Sequence, residues 1–481
     1  MLSDPIFILF IGVIIVVGGI IGFKMHPFLA LLLAAFVVAI LTPGSAIEQF
    51  AISKGLTPAA AALLAKKTIG ERVAVEFGNT AAKIGILIAM AAIIGKCMLE
   101  SGAAERIVRS MLKATGMDKA PIAFLASSFF IGIPVFFDTV IFLMMPLAKA
   151  MSMRIGKNYL LLVLSIIAGA VMANSLVPPA PGPLFLVSAM QIPIGMMIVA
   201  GILLGIITSA TGYLFALWAN RKWTVPLRDS LDARIEDIKT NSLKDESLLP
   251  GLGFSLLPVL IPLVLICLDT FVSSYMATHE SFAPAGFQRT LISLVHFLGD
   301  KNTALILAGL AALSLLAKYK KSTESMTNLV GAALMSGGAI VLITSAGGAF
   351  GGILQQTGIS ARITELTKEY QMALIPMAFI IAAIIRTAQG SATVALITTS
   401  GILAGMANNG NLQYHHLYLG LAIGCGSKLV PWMNDAGFWI VCKMSNLTEK
   451  EAMKTFSPMN VVMGVAGLIV ILIAAKIFPL I

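Results

Sequence analysis

Three charged side chains stand inside apolar stretches, where charge is costly. Asp138 follows Phe136-Phe137, Arg386 opens the run Ile385-Arg-Thr-Ala-Gln-Gly-Ser-Ala-Thr393, and Asp435 sits beside Asn434. A charge at the centre of a membrane helix costs about 2.5–3.5 kcal/mol on insertion scales, so an intramembrane ion points to a function. A guanidinium suits a carboxylate because its planar fork donates two parallel hydrogen bonds. Loss of hydration disfavours the charged form of a carboxyl group, so Asp138 or Asp435 could carry a proton. An internal ion-pair network would account for the same three residues, and the two roles are compatible. Asp269 lies near the end of an apolar run, and Glu100 and Glu105 are expected in a loop. These three read as interfacial.

Polar groups gather around the same places. Ser127, Ser128 and Thr139 flank Asp138, and Asn174 and Ser175 form a second group. Thr387, Gln389, Ser391 and Thr393 follow Arg386, and Ser427, Lys428 and Asn434 precede Asp435. Together they could bind a small, hydroxyl-rich anion. The plainer reading is that serine and threonine hydroxyls bond back to their own helix.

The elements that must position these groups are interrupted helices. Leu176-Val-Pro-Pro-Ala-Pro-Gly-Pro183 breaks one hydrophobic run, and Leu429-Val-Pro-Trp-Met-Asn-Asp-Ala-Gly437 breaks another 253 residues later. Pro178, Pro179, Pro181 and Pro431 lack a backbone donor and clash with the preceding turn, and Gly182 adds flexibility, so neither run continues as a helix. Two further apolar segments break at Gly132-Ile-Pro134 and at Gln389-Gly390-Ser391. Matched broken segments in two halves of a chain mark a transporter's binding site. A second alignment agrees: Gly95, Gly102, Arg106 and Ile107 match Gly351, Gly358, Arg362 and Ile363 at an offset of 256. The chain therefore reads as two repeats, residues 1–220 and 251–481, joined by a polar linker at 221–250.

The 481 residues are 58% hydrophobic and 12% charged, with a mean hydropathy of +0.93. Soluble domains carry about 25% charged residues, so the solvent here is lipid. Pro5–Phe23, Leu203–Ala219 and Val461–Phe478 approach the length of a spanning helix, about 17–25 residues. The N-terminus has no basic region, and no cleaved signal peptide is expected. The net charge of +10 sits between apolar runs and reads as membrane orientation, not nucleic-acid binding. Basic flanks on both sides of segment 121–147 predict a re-entrant hairpin from the cytoplasm, with limbs too short to span. Segment 372–405 predicts its counterpart from outside, and broken helices are expected at about 159–190 and 414–443. This count makes the halves inverted copies with both termini outside. It also puts residues 45–79 outside, despite Lys54, Lys66, Lys67 and Arg72. The alanine-rich part of that segment reads as a surface helix.

Other motifs carry less. Gly347-Gly-Ala-Phe-Gly-Gly352 has no preceding strand and no following Gly-Lys-Ser/Thr, so it reads as close helix packing. His415-His416 lacks further ligands at metal spacing. Cys97, Cys267, Cys425 and Cys442 read as buried free thiols. No metal or cofactor is expected.

Four motifs resemble the gluconate:proton symporter (gluconate permease) family across nearly the whole chain. They are Gly132-Ile-Pro-Val-Phe-Phe-Asp138, Pro178-Pro-Ala-Pro-Gly-Pro183, Arg386-Thr-Ala-Gln-Gly-Ser-Ala-Thr-Val-Ala395 and Asn434-Asp-Ala-Gly-Phe-Trp439. The resemblance implies proton-coupled uptake of sugar acids or related hydroxy acids, D-serine in some members, across a bacterial inner membrane. It also implies the ion-transporter-superfamily fold, typically a homodimer with a moving transport domain and a static scaffold. Two places depart from the pattern of gluconate carriers: their two histidines at the first break are Asn174 and Ala180 here, and their hairpin glutamate is Asp138.

The reading is an all-α polytopic membrane protein, a secondary transporter of a small hydroxy-carboxylate with elevator-like architecture. Arg386 and backbone amides would hold the carboxylate; Ser127, Ser128, Asn174, Ser175, Gln389, Ser391, Thr393 and Asn434 would complete the site. Asp138 or Asp435 would carry the proton. Gly132, Pro134, Pro178, Pro179, Pro181, Gly182, Gly390 and Pro431 would shape the breaks. Sodium coupling, or a glycerate or D-serine substrate, is the rival within transport. No channel filter motif is present, and no nucleophile–base or metal set suggests a membrane enzyme.

Overall fold

The structure, a computed structural model, describes residues 4–228, 249–278, 286–320, 324–359, 371–407, 412–432 and 435–480. These form α-helices and short 3-10 turns. The first half contains α1 Pro5–Ile21, α2 Pro27–Leu41, α3 Gly44–Ser53, α4 Pro58–Lys66, α5 Ile69–Glu100, α6 Ala103–Thr115, α7 Ala120–Gly132, α8 Phe137–Ile155, α9 Tyr159–Leu176, α10 Pro181–Ala189 and α11 Ile194–Lys222. The second half contains α12 Leu252–Thr278, α13 Phe287–Gly299, α14 Lys301–Tyr319, α15 Met326–Gln356, α16 Leu374–Gln389, α17 Ala392–Ala407, α18 Leu417–Gly426, α19 Ala436–Ser445 and α20 Glu449–Ile477. Residues 229–248 of the 221–250 linker lie outside the described residues.

Local chemistry sets many of the helix ends. Capping boxes open α5 (Thr68 with Glu71) and α20 (Thr448 with Glu451). Proline at the start of α1, α2, α4 and α10 fits where the missing amide costs nothing. Among the described residues, seven helical segments are long and apolar enough to cross a membrane; α9 and α10 together make one of them. The central window of that broken span is 94% buried, against 28% for α12. The α9–α10 segment is therefore the inner pillar, and α12 is the least buried of the seven.

Both halves repeat one order of elements: a helix pair (α7–α8, α16–α17), a broken helix (α9–α10, α18–α19) and a long helix (α11, α20). At 19 residues, α8 is longer than the limb expected from the sequence. At about 1.5 Å per residue, α7 with 13 residues and α16 with 16 are too short for the roughly 30 Å hydrocarbon core. Close approaches fix the central register. A Cβ at Gly351 on α15 would stand 2.8 Å from Gly401 Cα on α17, and Gly347 faces Ile397, so α15 and α17 run parallel. Gly352 faces Glu76 and Gly337 faces Ala92, so α5 runs antiparallel to α15. The glycine run 347–352 is thus a packing surface between three helices.

Two sequence expectations change. Glu100 and Glu105 are helical: Gly102, at φ +77, turns the chain so tightly that no loop separates α5 from α6. Each acid pairs one turn away, Lys96–Glu100 at 2.9 Å and Arg109–Glu105 at 2.7 Å. Arg72 is buried, donating to Gln356 Oε1 at 3.1 Å and Ala39 O at 3.0 Å. It is a packed cation joining α5, α15 and α2, so it drops out of the charge count that placed residues 45–79. The alanine-rich stretch is helical as expected, forming α4.

Candidate functional site

The interruptions converge on one chamber of about 410 Å³. The turn between α7 and α8 contributes Phe136, and the start of α8 contributes Asp138 and Thr139. Val171 and Asn174 come from the end of α9. Arg386 ends α16, and Gly390, Ser391 and Thr393 surround the start of α17. Lys428 and Asp435 come from the second break, and Asn460 and Phe456 from α20. Glycine is needed at 390, which caps α16 with φ +85. The N-termini of α8, α17 and α19 all lie at the chamber wall. Unpaired amides and the positive end of each helix dipole favour an anion there.

Arg386 and Asp435 form a buried ion pair through Nη2 and Oδ2. The other Asp435 oxygen accepts the Gly437 amide at 2.8 Å, capping α19. Arg386 Nε and Nη1 are buried without a hydrogen-bond partner among the described residues. Lys428, also buried, lies within electrostatic reach of Arg386, Asp435 and Asp138. Asp138 has no hydrogen bond or ion pair among the described residues. The chamber thus holds two cations and two carboxyl groups. Asn460 adds an unpartnered acceptor, Oδ1, on a side chain 1% exposed.

The structure brings together Asp138, Asn174, Arg386, Gly390, Ser391, Thr393 and Asp435. It places others behind the wall. Ser128 donates to Leu125 O at 2.9 Å and packs against Gly169 of α9. Ser127 and Ser175 are buried with unpartnered hydroxyls outside the lining. Pro431 accepts a hydrogen bond from Ser457 of α20 through its carbonyl. Pro178 and Pro179 separate α9 from α10, Pro181 and Gly182 open α10, and Gly182 packs on Leu396 of α17. Gly132 packs on Ala170, and Pro134 lies in the α7–α8 turn. Asn434 and the Gln389 side chain fall outside the described residues. Sequence reasoning only grouped Lys428 with the polar residues of the second break, and gave Asn460 no role. The signal for Lys428 was a cation in a broken apolar run, and for Asn460 an amide at the edge of one.

The sequence profile of the GntP family of permeases matches residues 4–477. The chain belongs to the GntP permease family. It is 30% identical over 482 residues to the gluconate permease of Pseudomonas aeruginosa, covering 99% of both chains. It is 31% identical over 404 residues to a low-affinity gluconate transporter of Escherichia coli K12, covering 83% of this chain and 86% of the relative. Two solved transporters share the fold at low identity. The YdaH transporter of Alcanivorax borkumensis gives a TM-score of 0.59 at 12% identity, covering 85% of this chain and 88% of its own. MtrF of Neisseria gonorrhoeae, from a class of antimetabolite efflux pumps, gives 0.57 at 15%, covering 84% and 83%. This GntP-family protein is a multi-pass membrane transporter, and its relatives are permeases, not enzymes. Of its two departures at the first break, Asn174 faces the chamber and Ala180 does not.

Proposed function

We propose that the protein carries gluconate or a related short hydroxy acid, with a proton, across a bacterial inner membrane. The observation that carries this reading is the Arg386–Asp435 pair, whose guanidinium keeps Nε and Nη1 unspent inside a polar chamber. A carboxylate taking those donors gains charge-assisted hydrogen bonds, and the helix N-termini add to its stabilisation. Ser391, Thr393, Asn174 and Asn460 then read hydroxyls.

Charge balance supports a proton as the coupled ion. With Arg386, Lys428, Asp138 and Asp435 all ionised, the chamber is neutral. A bound monoanion leaves one uncompensated buried charge, which is costly. One proton restores neutrality, and Asp138 is the better acceptor because Asp435 is committed to Arg386 and the α19 cap. The step is then electroneutral and driven by the pH gradient. A second proton would also draw on voltage, about 2.3 kcal/mol per charge per 100 mV. The repeated order of elements is consistent with inverted repeats whose helix pairs are re-entrant hairpins, and with elevator-like movement in a homodimer.

The test is uptake into proteoliposomes under an inward proton gradient, with labelled gluconate, glycerate and D-serine. Concentrative uptake of one compound, lost with a protonophore and in Asp138→Asn, is the expected result. Uptake that requires sodium at constant pH would replace the proton, and equilibration without accumulation would refute active transport.

A further inference from the structure

A second chamber lies along the same helices as the first. It measures about 140 Å³ and includes Glu76 and Lys83 of α5, Ser188 of α10, Gly348 of α15 and Gly401 of α17 in its lining. Three elements pass from one chamber to the other. On α15 the linings are Ile340 and Gly348, on α17 Thr393 and Gly401, and on α9–α10 Asn174 and Phe185. The interval on α15 and α17 is eight residues, about 12 Å of helix.

Each of the three elements carries, in that interval, a buried hydroxyl with no hydrogen-bond partner among the described residues. These are Ser345 on α15, Thr398 and Thr399 on α17, and Ser175 at the end of α9. All four residues are at most 1% exposed. Their neighbours Thr344 and Ser400 follow the usual habit and bond back to Ile340 O and Leu396 O. A buried hydroxyl without a partner is costly. Water is the partner that such buried hydroxyls usually take. A hydroxyl both accepts and donates, so such a series can pass a hydrogen along.

The carboxylate at the far end is held in place. Glu76 Oε1 accepts Gln356 Nε2 at 3.2 Å, and Gln356 Oε1 accepts Arg72 Nη1 at 3.1 Å. Glu76 Oε2 lies over Gly352, where a Cβ would approach to 2.5 Å. The charged groups around the interval are Glu76, Lys83 and Arg72 at one end, and Asp138, Arg386, Lys428 and Asp435 at the other. Glu48 of α3 is exposed. Between the two linings, α9, α10, α15 and α17 contribute no ionisable side chain.

We propose that this interval is a proton track between the two chambers, with Glu76 its terminal carboxylate. It rests on the proton-coupled reading above. The Glu76 carboxyl gives its hydrogen to the first bridging water. Each water or hydroxyl releases one hydrogen as it accepts another, and the last lands on Asp138. Glu76 is left as a carboxylate and takes its next proton from solvent at the mouth of the second chamber.

Two variants test it: Glu76→Gln alone, and Ser345→Ala with Thr398→Val and Thr399→Val together. In proteoliposomes, proton-driven net uptake of labelled gluconate should fall about tenfold or more. Exchange of internal for external gluconate at equal pH needs no proton release and should stay within about twofold. Undiminished net uptake in both variants would overturn the track. Loss of exchange as well would assign these residues to folding or substrate passage and overturn it too. If the unsubstituted protein exchanges gluconate but shows no proton-linked uptake, the coupling reading itself fails and the track with it.

Discussion

Replacing Arg386 separates a substrate-reading guanidinium from a purely structural one. Arg386→Lys keeps the positive charge beside Asp435 but loses the planar donor set. In the structure Nη2 serves Asp435, while Nε and Nη1 are unspent. A lysine ammonium can satisfy Asp435 and at most part of a substrate carboxylate. The variant should lose about one charge-assisted hydrogen bond, about 1.5–3 kcal/mol, or about 10- to 150-fold in affinity. Calorimetric titration of the purified protein with gluconate reads this directly. The structural contribution is measured separately. Arg386→Gln leaves Asp435 buried without its partner, and breaking a buried pair costs about 3–5 kcal/mol, visible as a lower melting temperature in detergent. Arg386→Gln with Asp435→Asn removes both charges, so melting should recover while binding does not. Arg386→Lys binding within about twofold of the unsubstituted protein would refute the reasoning and leave the pair as a structural clasp.

Two further outcomes follow from packing and protonation. Gly169→Ala would set a Cβ against Leu125 O and Ser128 Oγ, and 2.9 Å from Phe129 N, forcing α7 away from α9. The expected loss is about 1–3 kcal/mol, read as a drop in melting temperature, together with weaker uptake because α7 leads into the turn before Asp138. Outside the spans, burial and then the neighbouring His416 lower the His415 pKa to about 4. His415 Nδ1 accepts the Leu417 amide at 3.1 Å, which requires the neutral ring. The unfolded state therefore binds more protons between its ordinary value of 6.5 and about 4. This contribution to stability is complete above the upper value and is lost as pH falls through the window. His415→Gln should flatten that part of the melting-temperature profile, and an unchanged profile would remove His415 as its source.

The interruptions were legible because their cause is local. Proline has no amide to donate, and helices stop before Pro178-Pro179 and Pro431, although single prolines at 146, 258, 262 and 458 are carried inside helices. Glycine at 390 supplies a backbone conformation that other residues resist. The intramembrane charges were legible for a similarly simple reason: burying a charge is costly in any fold, which singled out Asp138, Arg386 and Asp435. Family motifs around the same residues sharpened that reading.

Which of these groups face one another was a matter for the tertiary structure. Asp138 and Asp435 reach one chamber from opposite halves of the chain because α8 and α19 begin at its wall. Ser127 and Ser128 precede Asp138 by only 11 and 10 residues yet fall behind that wall, since α7 turns them away from the chamber. Asn460, outside every family motif quoted, enters it because α20 packs beside the second break. Arg72 looks like a loop cation in the sequence, and only the approach of α2 and α15 makes it a buried one. Sequence by itself determined where helices must stop and which charges need a reason. The packing of elements far apart in the chain decided which of those charges meet, because side-chain direction depends on register between helices that no local pattern records.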